Sequence, residues 1–431
     1  MREEIVIALA MLAVLLAGGA ITKNQRRYTP LILLLSAIAG SLAAGMGLRF
    51  REIVEGPFGF LDAMLSVLCG MVFLRVLHDG GALGILFSRA ARRKSRGARA
   101  LCLMLFMALP GMLSGSALAG ILISGPLVRD ELRSAGVHEN RVGQFVVVGA
   151  FLGMMLPPAC IPAMVAANGA GSVLPTPYTG FFLPLLALTL PAFLVYWFLA
   201  AKRVIPLAQR RTVPAKETQR GTSWLCLLPL FLVLAAVTLE NLFPARVYLG
   251  GMPVICLAGS LLSMLLPAKK RPLRDVLTSL SDGAADLLLP VASVFALGAV
   301  IEVSSMTGLR GLFSAAILPY APAAVMLALM GLMLPAGLAL AFPLAGWLAA
   351  YAVFPIGWMA NVVMVAGCSA ALGAAVLLAP RGGILTDARE RLGLNASWRG
   401  IMAGAWLPLT VLLACGVCFV LFGDALRILI V

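Results

Sequence analysis

Two stretches of the chain are apolar enough for a membrane, yet both are interrupted by Gly and Pro at matching places. The first runs from Leu109 (LPGMLSGSALAG) to the segment GMMLPPACIP that begins at Gly153. The second runs from Gly331 (GLMLPAGLALAFPLAG) to LLAPRGG, which ends at Gly383. Ser114 precedes Pro157 by nearly the spacing at which Pro335 precedes Pro380. In hydrocarbon every backbone N–H and C=O must be satisfied within the protein, so such breaks survive only where protein or a wet cavity surrounds them. Broken helices in corresponding positions of two halves are the sequence pointer to the binding site of a secondary transporter.

Composition supports the membrane setting. Hydrophobic residues make up 61% of the 431 positions and charged residues 12%, against about 25% charged in soluble domains. Apolar runs of about 20 residues recur along the chain, each long enough to cross a bilayer core. The fold class expected is an all-α polytopic membrane protein, with the lipid bilayer as its first partner. Ile5–Ile21 lacks a basic flank and a small-residue cleavage site, so it reads as a first span rather than a signal peptide. The net charge of +15 does not point to nucleic acid. Nearly all Lys and Arg fall in a few short loops, which is the positive-inside pattern.

The eight cysteines all lie in apolar segments, where free Cys behaves as a small hydrophobe. The Cys415–Cys418 pair sits inside VLLACGVCFVLF and reads as packing. With His78 and His138 the sole histidines and no clustered carboxylates, no resident metal or cofactor is expected. A membrane-embedded enzyme would need a nucleophile with a base, or paired carboxylates, at membrane depth. Neither is present.

Placing the basic loops in the cytoplasm threads the chain. Spans over Ile5–Ile21, Leu31–Leu48 and Phe58–Leu77 lead to the basic stretch SRAARRKSRGAR. Ala100–Val128 then starts and ends near cytoplasmic charge, as a re-entrant hairpin with its tip at PGMLSGS. Val142–Ala167 crosses outward, broken near Pro157, and Phe181–Ala200 returns. The second half repeats the plan upside down: Trp224–Leu239, Gly250–Leu266, Ala284–Ile301, a second hairpin over Ala321–Leu348, a broken crossing from Gly357 to Gly383, and Gly400–Phe422. Residues 1–200 thus form a first repeat, 201–222 a polar cytoplasmic linker and 223–431 a second repeat of opposite orientation. Together they make the inverted repeat of a transporter.

The candidate site residues lie at the breaks. Ser114, Gly115 and Ser116 form the first tip, where small residues allow a tight turn and close approach to a ligand. The alternative use of such residues is close helix packing. Pro157 and Pro158 each remove a backbone donor, which frees carbonyls around Leu156. Oxygens from Ser114, Ser116 and Leu156 make a candidate sodium site. Asn168 and Asn361 are polar residues in apolar surroundings and therefore candidates. Pro380, Arg381 and Gly382 form the second break. There Arg381 is either the first residue of a cytoplasmic loop or a guanidinium in the cavity. In the cavity it would hold a carboxylate or stand in for a bound cation, alone or paired with Asp387.

The stretch LSGSALAGILISGPLVRDELRSAGVHENRVGQFVVVGAFLGMMLPPACIPAMV resembles the large membrane subunit of tripartite ATP-independent periplasmic (TRAP) transporters. In that family a Ser-Gly-Ser tip is followed by a helix ending in Ile-Pro-Pro-Ser-Ile-Pro; here Leu156, Pro157, Pro158, Ala159, Cys160, Ile161 and Pro162 take those places. The resemblance continues through SLLSMLLPAKKRPLRDVLTSLSDGAADLLLPVASVFALGAVIEVSSMTG. It implies an elevator-type symporter of the bacterial inner membrane, driven by sodium and importing small organic acids such as C4-dicarboxylates. It also implies two partners, a periplasmic solute-binding protein and a small membrane subunit. By the same resemblance Ser114, Gly115, Ser116, Pro157 and Pro158 would line the first sodium and substrate region, and Gly337 and Pro380 would lie near the second. Where the family has Thr-Pro-Pro-Val-Gly, this chain has Ala379, Pro380, Arg381, Gly382 and Gly383. The expectation is a second cation site altered or lost, with Arg381 supplying the charge. A stand-alone ion-coupled anion carrier of the same superfamily is the alternative.

Overall fold

The computed structural model describes residues 2–21, 25–169, 178–205, 224–266, 272–340, 346, 348, 361–380 and 383–430. Among them every regular element is helical, and eight helices are long and apolar enough to cross a membrane. The first half opens with α1 (Arg2–Ile21) and α2 (Gln25–Ala43). A short α3 (Phe50–Glu55) runs through a 3-10 turn (Gly56–Phe60) into α4 (Leu61–Asp79). Gly81, at φ +86°, turns the chain into α5 (Ala82–Ala91). Next come α6 (Arg96–Ser114), α7 (Ala117–Ala119), a π-helical turn (Gly120–Ser124) and α8 (Gly125–Ser134). The half closes with α9 (Glu139–Met155), α10 (Ile161–Gly169) and α11 (Phe182–Arg203).

The second half comprises α12 (Leu228–Leu242), α13 (Gly251–Leu265), α14 (Leu273–Asp286), α15 (Leu288–Met306) and α16 (Leu309–Ile317), the last entered through Gly308 at φ +75°. It continues with α17 (Pro322–Leu340), α18 (Val362–Leu378), α19 (Ile384–Leu392), α20 (Trp398–Leu421) and α21 (Gly423–Ile430).

The halves pack through each other. Helix α2 lies along α15, and α13 lies along α4. Helix α3 and its 3-10 turn rest on α15, while α14 rests on α4. Helix α6 pairs with α9, α17 pairs with α18, and α11 meets α20. Two of these pairings are alike in kind: α2 on α15 with α13 on α4, and α3 with its turn on α15 with α14 on α4.

Helices α9 and α18 form the centre. In α18 only Val376 and Leu378 are even partly exposed, and a helix apolar on every side belongs in a core. Close approach rests on small residues, the usual device between apolar helices. A Cβ at Gly153 would stand 2.5 Å from the carbonyl O of Ala108, and one at Gly337 would stand 2.5 Å from that of Ala375. At the periphery Leu9, Leu31, Phe231 and Leu261 are exposed apolar side chains, as lipid-facing positions are.

Several sequence expectations are redrawn. The first hairpin is longer than Ala100–Val128, with arms over 96–114 and 117–134. Pro335 does not interrupt its helix, because α17 continues through it to Leu340. The rest of the second hairpin falls mainly outside the described residues. Helix α14 (Leu273–Asp286) fills most of the stretch between the expected spans Gly250–Leu266 and Ala284–Ile301. Arg75 pairs with Asp79 (3.3 Å) and Asp286 (3.6 Å), joining α4 to α14.

Candidate transport site

The first break forms because α9 runs into two prolines. Pro157 and Pro158 offer no N–H and cannot extend the ladder. Leu156 closes α9 instead, its amide shared between the carbonyls of Leu152 (3.1 Å) and Gly153 (3.3 Å). The chain stays non-helical and buried to Cys160, then restarts as α10 at Ile161.

The hairpin tip docks onto this break. Ala159 N–H donates to Met112 O (3.1 Å), and Ile161 N–H donates to Gly115 O (3.3 Å). Gly115 turns the chain at φ +67°, and a Cβ there would stand 3.1 Å from the amide N of Ile161. The amides of Ala159 and Ile161 are therefore satisfied by carbonyls of the tip, the internal pairing that membrane depth demands. Ser114 serves the turn: its hydroxyl donates to Pro110 O (2.7 Å) and accepts from Ser116 N–H (3.3 Å). It is wholly buried.

The second break follows α18. The chain leaves the helix at Ala379, passes Pro380, which is exposed, and re-enters at Ile384 with Gly383 as the N-cap of α19. Arg381 and Gly382 lie outside the described residues.

Between the two breaks is a cavity of about 110 Å³. Its walls come from the hairpin tip (Ser116, Ala117, Leu118), the first break (Met154, Ile161, Pro162) and the second break (Val376, Gly383, Ile384, Asp387). The start of α15 (Leu289, Pro290, Ser293, Val294) and Thr29 of α2 complete them. Three features suit it chemically to a small ligand. It is mostly apolar with a few polar groups, the common make-up of ligand sites. The first residues of α10 and α19 both line it, so two positive helix ends face it. Its polar side chains, those of Thr29, Ser116, Ser293 and Asp387, carry oxygens. Hard oxygens of this kind suit an alkali cation.

The site residues expected from sequence divide accordingly. Ser116 lines the cavity, while Ser114, Gly115, Leu156, Pro157 and Pro158 build the wall behind it. Gly337 packs α17 against α18. Asn361, expected inside the second crossing, is the N-cap of α18: its side chain accepts from Met364 N–H (2.9 Å) and donates to Asp424 (2.9 Å). Asn168 lies in the last turn of α10. Among the described residues no group of three or more His, Cys, Asp or Glu is placed to hold a metal ion.

Thr29, Ser293 and Asp387 were not singled out as wall residues from the sequence, where Asp387 figured only as a partner for Arg381. Asp387 stands in the first turn of the half-helix after the second break and is 6% exposed, and a buried carboxylate in an apolar protein is a functional candidate by default.

Neither a family model nor a curated protein sequence matches the chain. A solved structure that does match is the YdaH transporter of Alcanivorax borkumensis, whose crystal structure revealed an unusual topology. The TM-score is 0.61 over 87% of this chain and 88% of that one, at 17% identity. At that identity the likeness is one of fold alone: the chain shares its multi-pass helical fold with that protein.

Proposed function

We propose that the protein is an ion-coupled secondary transporter for a small organic anion, bound in the cavity between the two breaks. The observation that carries this reading is the meeting of both breaks and the hairpin tip on one chamber of about 110 Å³. Two half-helices begin at that chamber, and their positive ends favour a carboxylate. The reciprocal packing of the halves supports an inverted repeat, with elevator-type movement of the unit that carries the breaks.

Asp387 gives the coupling a physical basis. A cation bound beside the Asp387 carboxylate lowers the repulsion an anionic substrate meets there, so cation and substrate each raise the other's affinity. Sodium, held by Asp387 with neighbouring hydroxyls, is the proposed coupling ion. The protein would act as the large subunit of a TRAP-type importer in the inner membrane, fed by a periplasmic binding protein and braced by a small membrane subunit.

The test is uptake of a labelled carboxylate, succinate first, into proteoliposomes. The sodium gradient, the binding protein and the small subunit are each included or omitted. Uptake should require the inward sodium gradient and the binding protein. Uptake indifferent to the gradient would rule out sodium coupling. Gradient-driven uptake without the binding protein would instead favour the stand-alone carrier.

A further inference from the structure

A larger cavity, of about 860 Å³, lies away from the breaks among Arg96, His138, Arg141, Lys202, Arg203 and Gly400. Among the described residues no carboxylate lines it, while the basic side chains of Arg96, His138, Arg141, Lys202 and Arg203 do. Three helices begin at its wall: Arg96 opens α6, His138 caps α9, and Gly400 is in the first turn of α20. Their positive ends add to the field of the side chains. Arg96 donates to Lys202 O, and Arg141 donates to Arg203 O (2.9 Å). Each contact uses one of the five N–H groups of a guanidinium. Nε of Arg96 is buried and has no hydrogen-bond partner among the described residues.

One wall leads to the lipid. Leu183, Leu190, Leu194 and Phe198 are 41–55% exposed and follow one face of α11 at spacings of seven, four and four residues. Lys202 continues that face one turn further and lies over the Phe198 ring, 4.0 Å from its centroid. Basic pockets between helices on the cytoplasmic side are where anionic headgroups dock, and this pocket is on the side the positive-inside pattern assigns to the cytoplasm.

We propose that this cavity binds the phosphate headgroup of an anionic phospholipid, whose tails lie against the apolar face of α11. The shared chemistry, a phosphate held by guanidinium, ammonium and helix ends, would also suit free phosphate; continuity with the lipid-facing stripe favours the lipid.

The test uses the intact protein in detergent, with phosphatidylglycerol or phosphatidylcholine titrated in and retention read by native mass spectrometry. Phosphatidylglycerol should be retained selectively. Lys202→Gln, at an exposed helix end where folding is not at risk, should weaken retention about fivefold, since each basic residue near a membrane surface is worth about 1 kcal/mol. Lys202→Gln with Arg203→Gln should weaken it about 25-fold. Arg246→Gln, an equal loss of charge on the exposed α12–α13 loop, should change nothing. Equal retention of the two lipids would overturn the proposal, as would an Arg246→Gln loss matching that of Lys202→Gln. Millimolar inorganic phosphate that displaced phosphatidylglycerol and stabilised the protein as fully would overturn the lipid assignment.

Discussion

At Gly115 two demands meet in one residue. The backbone sits at φ +67°, and the Ile161 amide stands 3.1 Å from where a Cβ would be. For an L-residue the left-handed conformation costs about 1–2 kcal/mol, and the crowding adds to that. Gly115→Ala should therefore lower stability by at least about 1–2 kcal/mol and loosen the tip from the break. Thermal unfolding in detergent measures the first, and a loss of uptake at unchanged expression reports the second. A melting temperature equal to that of the parent would show that the tip relaxes freely. Asp387 makes the sharper prediction. If its charge couples ion to substrate, Asp387→Asn should bring the sodium dependence of substrate affinity, typically 5–150-fold in coupled systems, close to one while substrate still binds. Substrate-binding isotherms with and without sodium measure this. Arg381→Ala is the companion variant. Were a fixed guanidinium the counter-charge, the parent protein would show flat sodium dependence and Arg381→Ala would lose substrate affinity.

Among the elements, the loop after α19 shows how the two breaks are held in one unit. Arg133, at the end of α8, grips Glu139 with two N–H groups, one at 3.0 Å, and also donates to Gly393 O (3.2 Å). Asn395 N–H donates to Glu139 (3.3 Å), Ser397 N–H donates to Asn140 (3.1 Å), and Arg129 donates to Leu392 O. The hairpin arm of one half is thereby tied to the half-helix of the other, outside the apolar stretch. The hydrogen bond from Arg133 holds the Glu139 carboxyl below its ordinary value of 4.5. A depressed pKa in the folded state contributes stability above the unfolded value and loses it as pH falls through the folded one. Wild-type melting temperature should thus drop more steeply below pH 4.5 than that of Glu139→Gln. At neutral pH the variant should cost less than about 1 kcal/mol, as exposed ion pairs do. Parallel pH profiles would mean that the clamp contributes nothing. Sequence made the hairpin and the proline break legible, because SGS and LPPACIP each change what the backbone can do locally. It could not show Asn361 as a cap or Asp387 as a wall, since both depend on which helix lies opposite. Pro335 misled for a related reason: a helix flanked by others tolerates proline without breaking.

For the whole molecule, the pairing of elements across the halves carries a consequence for folding. Helices α2 and α15 cover each other, as do α4 and α13, while α9 is covered in part by α19 and α20. A chain ending in the polar segment after α11 would leave the buried faces of α2, α4 and α9 without their partners. Lipid can shield the apolar side chains but not the small-residue seams, whose close backbone contacts form only helix to helix. Neither half should therefore persist alone. When residues 1–214 and 215–431 are expressed as separate chains, each by itself should be degraded or aggregate in detergent. Co-expressed, they should copurify and give a melting temperature close to that of the intact chain, because the cut falls between, not within, the packed helices. Size-exclusion chromatography and thermal unfolding read both outcomes. A first half that is monodisperse and stable on its own would mean that the reciprocal contacts are peripheral. The two halves would then be independent bodies, and a site that both must build would lose its structural basis.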